Sequence, residues 1–470
     1  MANTRFEMIL DIEPSQFQRI ERTFLRDLAG LMKANPSDIW ILDVHAGCTI
    51  LLLQGPEEEV NSFIAQMNSF DRPEGFLAFK KDVRLRQLFR SDSPEAPTVH
   101  TVKSGKRINL LPSSTRRSGE TFSWIHLSDV HLRADEGGDA YVQDVVTASF
   151  LQYLPILLKA RGISPEIIFF TGDIAFSGQN HEYEAASSFF DRLLRTFDPK
   201  PRLMFIPGNH DVNWNMVDKD LDRKLDNQLQ SDITVAKYLM DKSSLLDRQK
   251  GFLRLQNYNQ FSDRCKVFQQ PERNHEYFYT TKFEHKGLTI GVCGLNSSWR
   301  CTSREVPSEG RTPSPDLGRL LLGRTQLQTA VQAMEDCDVR IALLHHPAYD
   351  AWFMDFDKGL QGKYLPEFDY VLRGHEHVFV DSVIGRWNSP ETMQLSGGAL
   401  YQADPYSKVF SALVMEPASG MQTVFKWKYD TDDEKWHAIL EPDQDQPGYR
   451  AAMPNRLYNR LASKQAPKQI

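Results

Sequence analysis

The chain has 470 residues, of which 41% are hydrophobic and 25% are charged, and its 55 basic and 62 acidic residues give a formal net charge of −7. This length allows two or three domains with a buried catalytic core. The slightly acidic balance excludes a globally basic protein, so nucleic-acid binding would need a local basic patch.

Cysteine usage and hydropathy predict a soluble cytoplasmic protein that does not contact a membrane. No stretch approaches 18 uninterrupted apolar residues, and the N-terminus has no apolar segment typical of a signal peptide. The cysteines are scattered without CxxC spacing, so we expect reduced thiols rather than a disulfide framework. The five are Cys48, Cys265, Cys293, Cys301 and Cys337.

Residues 1–91 are predicted to form a small separate α+β domain in the order β-α-β-β-α. Strand-like runs alternate there with two amphipathic helical patterns, which begin at Pro14 and near Val60. The segment loosely resembles small effector-associated modules of bacterial signalling and conflict proteins, which implies an interaction domain for a protein partner. A purely stabilising domain is the alternative. Residues 92–120 are rich in Ser, Thr, Pro and Arg and are predicted to be a flexible linker.

From Thr121 onward, short apolar runs alternate with amphipathic helical stretches, a pattern that predicts an α/β sheet. A long insertion with helical spacing interrupts this pattern, and we expect residues 214–275 to form a cap over a functional site. The catalytic domain is predicted to span 121–441, and residues 442–470 are predicted to be a polar tail. The apolar runs are 122–127, 167–170, 203–206, 341–344 and 370–372.

Five short blocks place metal-ligand side chains directly after these apolar runs. Each block alone is common by chance, but ligands gather at the carboxyl ends of strands in open α/β sheets, so we expect the five to converge. The blocks are Asp129-Val130-His131, Gly172-Asp173, Gly208-Asn209-His210-Asp211, His345-His346-Pro347 and Gly374-His375-Glu376-His377.

This mixture of carboxylates, imidazoles and one amide suits two adjacent Mn, Fe or Zn ions. Asp129 and His131 are expected to share one face of a strand end and to bind the first ion, which His377 also reaches. The second ion would take Asn209, His345 and His375. The carboxylate of Asp173 is expected to bridge the two ions. Ions roughly 3.5–4 Å apart activate hydroxide and clamp a phosphoryl group.

His210 is the predicted general acid, because it lies beside the ligand Asn209 and need not bind metal itself. Asp211 is expected to hold the tautomer of His210. His346 is expected to support a ligand or to face the substrate, since neighbouring residues on a strand point to opposite faces. Asn296 and Ser297 are further candidates for a substrate contact.

The five blocks resemble the motifs D-x-H, GD, GNH-[DE], H and GH-x-H of the calcineurin-like metallophosphoesterase superfamily, complete and in order over residues 121–420. The resemblance implies a four-layer α/β/β/α sandwich with two metals at the strand ends. It also implies the same ligand sets, with His210 as the acid. Protein Ser/Thr phosphatases carry GD-x-V-D-R-G, whose Arg grips the phosphate, whereas this chain reads GDIAFSG over residues 172–178. That departure favours the branch similar to class III cyclic-nucleotide phosphodiesterases.

The first hypothesis is therefore a dinuclear phosphodiesterase that acts on a small phosphodiester. A nuclease of the same superfamily is one alternative, and a phosphomonoesterase or protein phosphatase is another. The nuclease hypothesis depends on cations of the insertion, which neighbouring acidic residues offset. These cations are Lys219, Arg223, Lys224, Arg248, Lys250 and Arg254, and the acidic residues are Asp218, Asp220, Asp222 and Asp226.

Overall fold

The computed structural model divides the chain into two compact units. It describes residues 121–133, 138–271, 274–302, 316–377, 389–402, 407–439 and 448–465, together with strand backbone at 3–10, 40–45, 49–56, 85–90, 98–100 and 382–386. Side chains are described from residue 121 onward, with the exception of 382–391 and of a few single positions.

The first unit contains a four-stranded antiparallel sheet in the order β2-β3-β1-β4. Its strands are β1 (Asn3–Leu10), β2 (Trp40–His45), β3 (Thr49–Pro56) and β4 (Leu85–Arg90), and β5 (Thr98–His100) follows within the segment predicted to be a linker. The two helices predicted for this unit and the rest of the linker lie outside the described residues. The division into an interaction domain and a linker therefore stays a prediction.

The second unit contains the strands of two further sheets. They are β6 (Phe122–Leu127), β7 (Ile167–Phe170), β8 (Arg202–Phe205), β9 (Tyr279–His285), β10 (Leu288–Gly294), β11 (Val339–Leu344), β12 (Tyr370–Arg373), β14 (Ser389–Ser396), β15 (Val409–Glu416), β16 (Met421–Asp430), β17 (Lys435–Ala438) and β18 (Tyr449–Ala452). Most of β13 (Ser382–Arg386) belongs to the first unit. One sheet has the order β17-β16-β15-β6-β7-β8, with β18 beside β16, and the other contains β14-β12-β11-β10-β9.

The helices of this unit are α1 (Gly138–Lys159), α2 (Asn180–Arg195), α3 (Lys219–Gln228), α4 (Asp232–Met240), α5 (Leu245–Phe252), α6 (Gln256–Arg264), α7 (Arg324–Ala333), α8 (Asp355–Tyr364) and α9 (Asn455–Gln465). Helices α3 to α6, joined by short 3-10 turns, make up most of the insertion after β8. Leu221, Leu225 and Leu229 of its four-residue repeat are buried, so the predicted helical insertion is confirmed. Its function as a cap stays a proposal.

The central strands of both sheets are parallel and buried on both faces. β6, β7 and β8 form one parallel set, and β10, β11, β12 and β14 form the other. Strands buried on two faces need near-continuous apolar runs, which explains why these segments stand out in the sequence.

Alternate residues along these strands belong to two different cores. In β6, Trp124 packs in the core between the two sheets, whereas Ile125 packs in the core on the helix side. In β11, Leu343 and Leu344 divide in the same way. Trp124 and Tyr370, from different sheets, have ring centroids 5.1 Å apart. The arrangement is helices, sheet, sheet and helices, so the predicted four-layer sandwich is confirmed.

The C-terminal segment differs from the predicted polar tail. Within residues 442–470, the described part forms β18, which pairs with β16, and α9. Met453, Leu457 and Leu461 are buried in the core between the sheets. The polar composition concealed an amphipathic helix, because few apolar residues at helical spacing suffice to anchor one. Among the described residues, no helix is long and apolar enough to cross a bilayer.

Candidate metal centre

All five sequence blocks lie at the carboxyl ends of central strands. The blocks with Asp129, Asp173 and Asn209 follow β6, β7 and β8, and those with His345 and His375 follow β11 and β12. The first three strands are neighbours in one sheet, and the other two are neighbours in the second sheet. The two sets of loops meet at one edge of the sandwich, as the strand order predicts.

Five of the seven predicted ligands have a left-handed backbone. Their φ values are 52° at Asp129, 48° at His131, 55° at Asp173, 73° at His375 and 56° at His377. A residue with a Cβ adopts this conformation at a cost, and such residues concentrate at functional sites. The expectation that Asp129 and His131 share a strand face is wrong, because β6 ends at Leu127 and both residues lie in the loop beyond it.

Backbone hydrogen bonds between the loops after β6 and β7 hold this conformation. The amides of Asp129 and His131 donate to the carbonyls of Gly172 and Asp173, each at 3.0 Å. The amide of Leu132 donates to the carbonyl of Ile174 at 2.8 Å. The two loops therefore form one unit that positions three of the predicted ligands.

The first predicted ligand group is brought together around Asp129. The Nε2 atoms of His377 and His131 lie 3.2 and 3.9 Å from its Oδ1, and His131 Nε2 also lies 3.9 Å from Asp173 Oδ2. The carboxylate of Asp173 thereby connects the first group to the second.

The second predicted ligand group is brought together around Asn209. Its Oδ1 lies 3.0 Å from His345 Nε2 and 3.0 Å from His375 Nδ1. His345 Nε2 also lies 3.4 Å from Asp173 Oδ2, the oxygen that approaches His131. The seven side chains form two donor groups that share one carboxylate, which is the arrangement a pair of metal ions requires.

Buried polar atoms without partners indicate that the first group fits a cation. Within the described part of the chain, both ring nitrogens of His131 have no hydrogen-bond partner. Asp129 is fully buried and His131 is 4% exposed. Buried polar atoms are nearly always satisfied, so a bound ion is the group that would satisfy these.

Neighbouring groups orient two of the ligands. The Nδ1–H of His345 donates to the carbonyl of Thr171 at 2.7 Å, which leaves Nε2 to face Asp173 and Asn209. The Oδ1 of Asp173 accepts from the backbone amide of His210 at 2.8 Å, which leaves Oδ2 between the two groups. Contacts of this kind fix the tautomer and direction of a metal ligand.

Protonation states suit metal binding for most of the ligands. Burial lowers the pKa of His131 and of His375 well below the ordinary value, so both rings are neutral near pH 7. Burial alone would raise the pKa of Asp173, but His345 and His210 hold it well below its usual range. Burial would likewise lower the pKa of His345, but the carboxylate of Asp173 raises it to about 9.

Metal binding is expected to release a proton from His345. The metal-free ring is charged at pH 7, and a metal ligand must be neutral, so apparent affinity should rise with pH up to about 9. In the metal-free protein the raised pKa contributes stability below pH 6.5, and that stability is lost as pH rises through about 9. Calorimetry at pH 7 in buffers of different ionisation enthalpy checks the proton release. A binding enthalpy that is independent of the buffer would contradict it.

His210 and Asp211 do not form the predicted pair. The Nδ1 of His210 lies 2.8 Å from the carbonyl of Phe176, so the ring is held by the backbone of the loop after β7. The carboxylate of Asp211 accepts from the amides of Ala175 and Gly208, each at 2.9 Å, and from Ile174 at 3.2 Å. Burial and Asp173 raise the pKa of Asp211 to about 7, against these three hydrogen bonds. Asp211 therefore holds the loops after β7 and β8 together. Its position next to His210 in the sequence does not make it the partner of the His210 ring.

His346 packs against the predicted ligand His375 and is itself held by Ser297. Its Nδ1 lies 2.8 Å from Ser297 Oγ, and its ring centroid is 4.5 Å from that of His375. Ser297 is fully buried, so its contact is with His346. Asn296 is also buried and bonds to Gln326 and the carbonyl of Tyr277. The predicted direct substrate contact of Asn296 or Ser297 is therefore not supported by their surroundings.

The glycines of the motifs are required for space, which their residue type could have indicated. A Cβ on Gly374 would lie 2.0 Å from Ser128 Oγ and 2.6 Å from Asp129 Oδ2. A Cβ on Gly172 would lie 2.5 Å from His345 Nδ1. Trp214 and Trp352 were missed entirely, and their ring centroids lie 5.6 Å from His210 and 4.7 Å from His375. Tryptophan carries no motif, so only the fold reveals them.

Gly208→Ala is expected to weaken metal binding and to lower stability by roughly 1–3 kcal/mol, as overpacking does. The new Cβ would lie 2.1 Å from Asp173 Oδ1 and 2.5 Å from the Asp173 backbone nitrogen, so the shared carboxylate must move. Thermal unfolding and metal titration measure the two effects. Gly359→Ala in α8 is the matched control, because its Cβ would meet nothing within 4 Å. Equal metal affinity in the two variants would contradict this account.

Comparison with known proteins identifies one sequence family. A family model described as calcineurin-like phosphoesterase matches residues 123–379. No curated protein sequence matches the chain significantly.

Several solved structures have weak similarity to the chain. Vacuolar Protein Sorting 29 from Cryptosporidium parvum is 10% identical and covers 68% of this chain and 97% of its own, with a TM-score of 0.27. The zinc complex of the Entamoeba histolytica protein of that name is 10% identical and covers 68% and 98%, with a TM-score of 0.25. A 5′-nucleotidase from Candida albicans is 12% identical and covers 73% and 56%, with a TM-score of 0.31. TM-scores this low bear on neither fold nor activity.

Proposed function

The chain belongs to the calcineurin-like phosphoesterase family, and from that premise we propose that it is a dinuclear metal-dependent hydrolase of a small phosphodiester. The observation that carries the proposal is the pair of donor groups joined by one carboxylate. Asp129, His131, Asp173 and His377 would hold one ion, and Asp173, Asn209, His345 and His375 the other. The mixed nitrogen and oxygen donors suit Mn, Fe or Zn.

When bound, such ions supply the Lewis acidity that activates water at neutral pH and offsets charge on a phosphoryl group. The protein positions the remaining chemistry. With Nδ1 of His210 held by the Phe176 carbonyl, its Nε2 is the nitrogen left to protonate the leaving oxygen. Its ring centroid lies 4.5 Å from that of His131, which places the acid at the edge of the first donor group.

A phosphomonoesterase is the second candidate, because one observation favours it. Protein phosphatases use an Arg of the GD block to grip a phosphate, and here Ile174, Ala175 and Phe176 follow Asp173. However, the guanidinium of Arg133 lies 3.4 Å from the centroid of the Phe176 ring. A cation therefore lies beside the loop that holds His210, although it follows the block of Asp129 in the sequence and is not part of the block of Asp173.

A nuclease is less favoured by the surface of the insertion. Five of the six cations named above form ion pairs with neighbouring acidic side chains, so those five do not form a free basic track for a nucleic-acid backbone. The pairs are Arg223–Asp220 at 3.2 Å, Lys224–Asp247 at 2.5 Å, Arg248–Glu276 at 2.6 Å, Lys250–Asp218 at 3.6 Å and Arg254–Asp222 at 2.7 Å.

Paired kinetics test the proposal. Metal-depleted protein is reloaded with Mn, Zn or Fe and assayed on an aryl phosphodiester and on the matching monoester. Metal-dependent preference for the diester supports a phosphodiesterase. Preference for the monoester, lost in Arg133→Ala, would establish the second candidate instead. No turnover of either ester by protein that binds two ions would contradict both.

We place the protein in the cytoplasm, which the free and buried thiols of Cys265, Cys293, Cys301 and Cys337 support. Residues 1–91 are proposed to bind a protein partner. Removal of residues 1–110 should then abolish partner binding and leave specific activity unchanged, whereas insoluble protein would indicate a stabilising domain.

A further inference from the structure

Gln143 is a buried polar side chain on the apolar face of α1. Val146, Phe150 and Leu154 follow it at helical spacing on that face and are at most 1% exposed, and Gln143 itself is 2% exposed. A buried amide costs free energy unless it is hydrogen-bonded. The position of Gln143 in the core therefore depends on polar partners that the apolar side chains of α1 do not provide.

The partners of Gln143 are backbone groups of the loop after β6, which carries the predicted ligands Asp129 and His131. The side-chain Nε2 donates to the carbonyls of Val130 and His131 at 2.7 and 2.9 Å. The side-chain Oε1 accepts from the amide of Arg133 at 3.0 Å. Both amide hydrogens of the side chain and one lone pair of its oxygen are thus used. Gln143 spans the loop from one side of His131 to the other.

Backbone groups make other contacts of this loop. The amides of residues 129–132 donate to carbonyls of the loop after β7, and the carbonyl of Asp129 accepts from the amide of Tyr401 at 3.1 Å. Such contacts do not depend on the identity of a side chain. The carbonyls of Val130 and His131 differ, because a side chain holds them. A single substitution can therefore remove both of these contacts.

The two donated hydrogen bonds hold the left-handed conformation of His131. Its φ is 48°, and a residue with a Cβ keeps such a conformation only where surrounding contacts hold it. In a pleated strand, consecutive carbonyls point to opposite sides, so one nitrogen could not reach both. The turn at His131 brings its own carbonyl and that of Val130 to the same nitrogen. The direction of the His131 ring depends on this turn.

We propose that Gln143 is a positioning residue for the first metal ion. Among the described residues, no group donates to or accepts from the ring nitrogens of His131, whereas the ring of His345 is oriented by the carbonyl of Thr171. The backbone that Gln143 holds therefore orients His131 in place of a contact to its ring. The inference rests on the metal centre proposed above and adds to it a residue outside the five blocks.

Titration of the full-length, metal-depleted protein with Mn²⁺ tests the assignment without hydrolysis. Wild type should bind two ions. Gln143→Met keeps the length of the side chain and removes its donors and its acceptor. It is expected to weaken one of the two sites by about tenfold or more and to leave the other unchanged, as loss of a group that orients a ligand does.

Two further variants identify the affected site and the contact that matters. His377→Ala removes a ligand of the first group alone, so it and Gln143→Met should weaken the same step of the titration. Gln143→Glu keeps the acceptor for the amide of Arg133 but cannot donate to both carbonyls. It should also weaken that step, which makes the result independent of how well Gln143→Met packs.

Gln326→Met on α7 is the matched control. Gln326 is fully buried, donates to the carbonyls of Asn296 and Leu322 at 3.0 and 2.6 Å, and accepts from the amide of Asn296 at 2.9 Å. The substitution thus removes hydrogen bonds of the same number and kind from a segment without a predicted metal ligand. Thermal unfolding should show similar losses of stability in the two variants, and of these two only Gln143→Met should bind Mn²⁺ more weakly.

Three results would overturn the assignment of Gln143. They are unchanged affinity of both sites in Gln143→Met and Gln143→Glu, equal weakening of the two sites, and the same loss of affinity in Gln326→Met. Failure of the metal centre itself differs, because wild type would then bind no pair of ions. A selective loss in Gln143→Met, together with a wild type that turns over no phosphodiester, supports the assignment and contradicts the proposed activity alone.

Discussion

Asp173→Asn is expected to lower kcat/KM for a phosphodiester by about a thousandfold or more. The carboxylate of Asp173 is 1% exposed and has donor atoms of both groups within 3.9 Å, so it is the one ligand that both ions would share. Asparagine keeps the shape and removes the negative charge. A loss of about 4 kcal/mol of transition-state stabilisation corresponds to this factor. Steady-state kinetics and metal analysis should show that activity and bound metal fall together.

The control for this variant is Asp191→Asn on α2. Asp191 is half-exposed and pairs with Arg195 on the same helix, so the chemical change is identical and the site is untouched. Thermal unfolding of both variants separates a local loss of metal from a loss of the fold. Asp173→Asn protein that keeps two ions and a tenth of the activity would show that the carboxylate is not shared.

The positions of the central strands and the meeting of the five blocks could be predicted from the sequence. Runs such as 167–170 and 341–344 are apolar without alternation because parallel central strands bury both faces. This signal can be read without knowing the partner strand. Ligands directly after such runs then gather at one edge for topological reasons. The helical insertion was also predictable, because Leu221, Leu225 and Leu229 repeat at helical spacing.

Side-chain directions in the loops could not be predicted in the same way. The left-handed backbone at Asp129 and His131 follows from hydrogen bonds to the loop after β7, which is about forty residues away in the chain. For the same reason, His210 takes its partner from the carbonyl of Phe176 rather than from adjacent Asp211. Pattern rules describe neighbours within an element, whereas these contacts join separate loops. The ligand roles themselves stay predictions that the geometry supports.

The prediction of a polar tail was wrong for a different reason. Residues 448–465 are polar on average, and their few apolar side chains are spaced to meet one core. Composition describes the exposed majority of such a segment. The stability of the packed segment depends on its few apolar side chains, because burying a side chain such as Leu457 or Leu461 contributes about 1.5–3 kcal/mol.

His210→Ala is expected to lower activity in proportion to the basicity of the leaving group. A general acid contributes about 10²- to 10⁴-fold when the leaving oxygen needs a proton. Loss of that size should appear with an alkyl leaving group. An aryl leaving group such as p-nitrophenolate needs little protonation, so its turnover should change by less than about tenfold. Kinetics on two diesters that differ only in the leaving group measure the contrast.

If His210→Ala lowers the activity equally with both leaving groups, the metal content of the variant shows whether His210 is a metal ligand. Ring nitrogens of His131 and His210 and a carboxylate oxygen of Asp173 lie within 4.8 Å of one another, so His210 stands close enough to be a ligand. Its Nδ1 is held by Phe176, and we expect His210→Ala to keep both ions. Equal losses with both leaving groups, together with loss of an ion, would make His210 a ligand instead of the acid. The exposed His181→Ala on α2 is the matched control and should change neither quantity, because that ring lies on the solvent side of its helix.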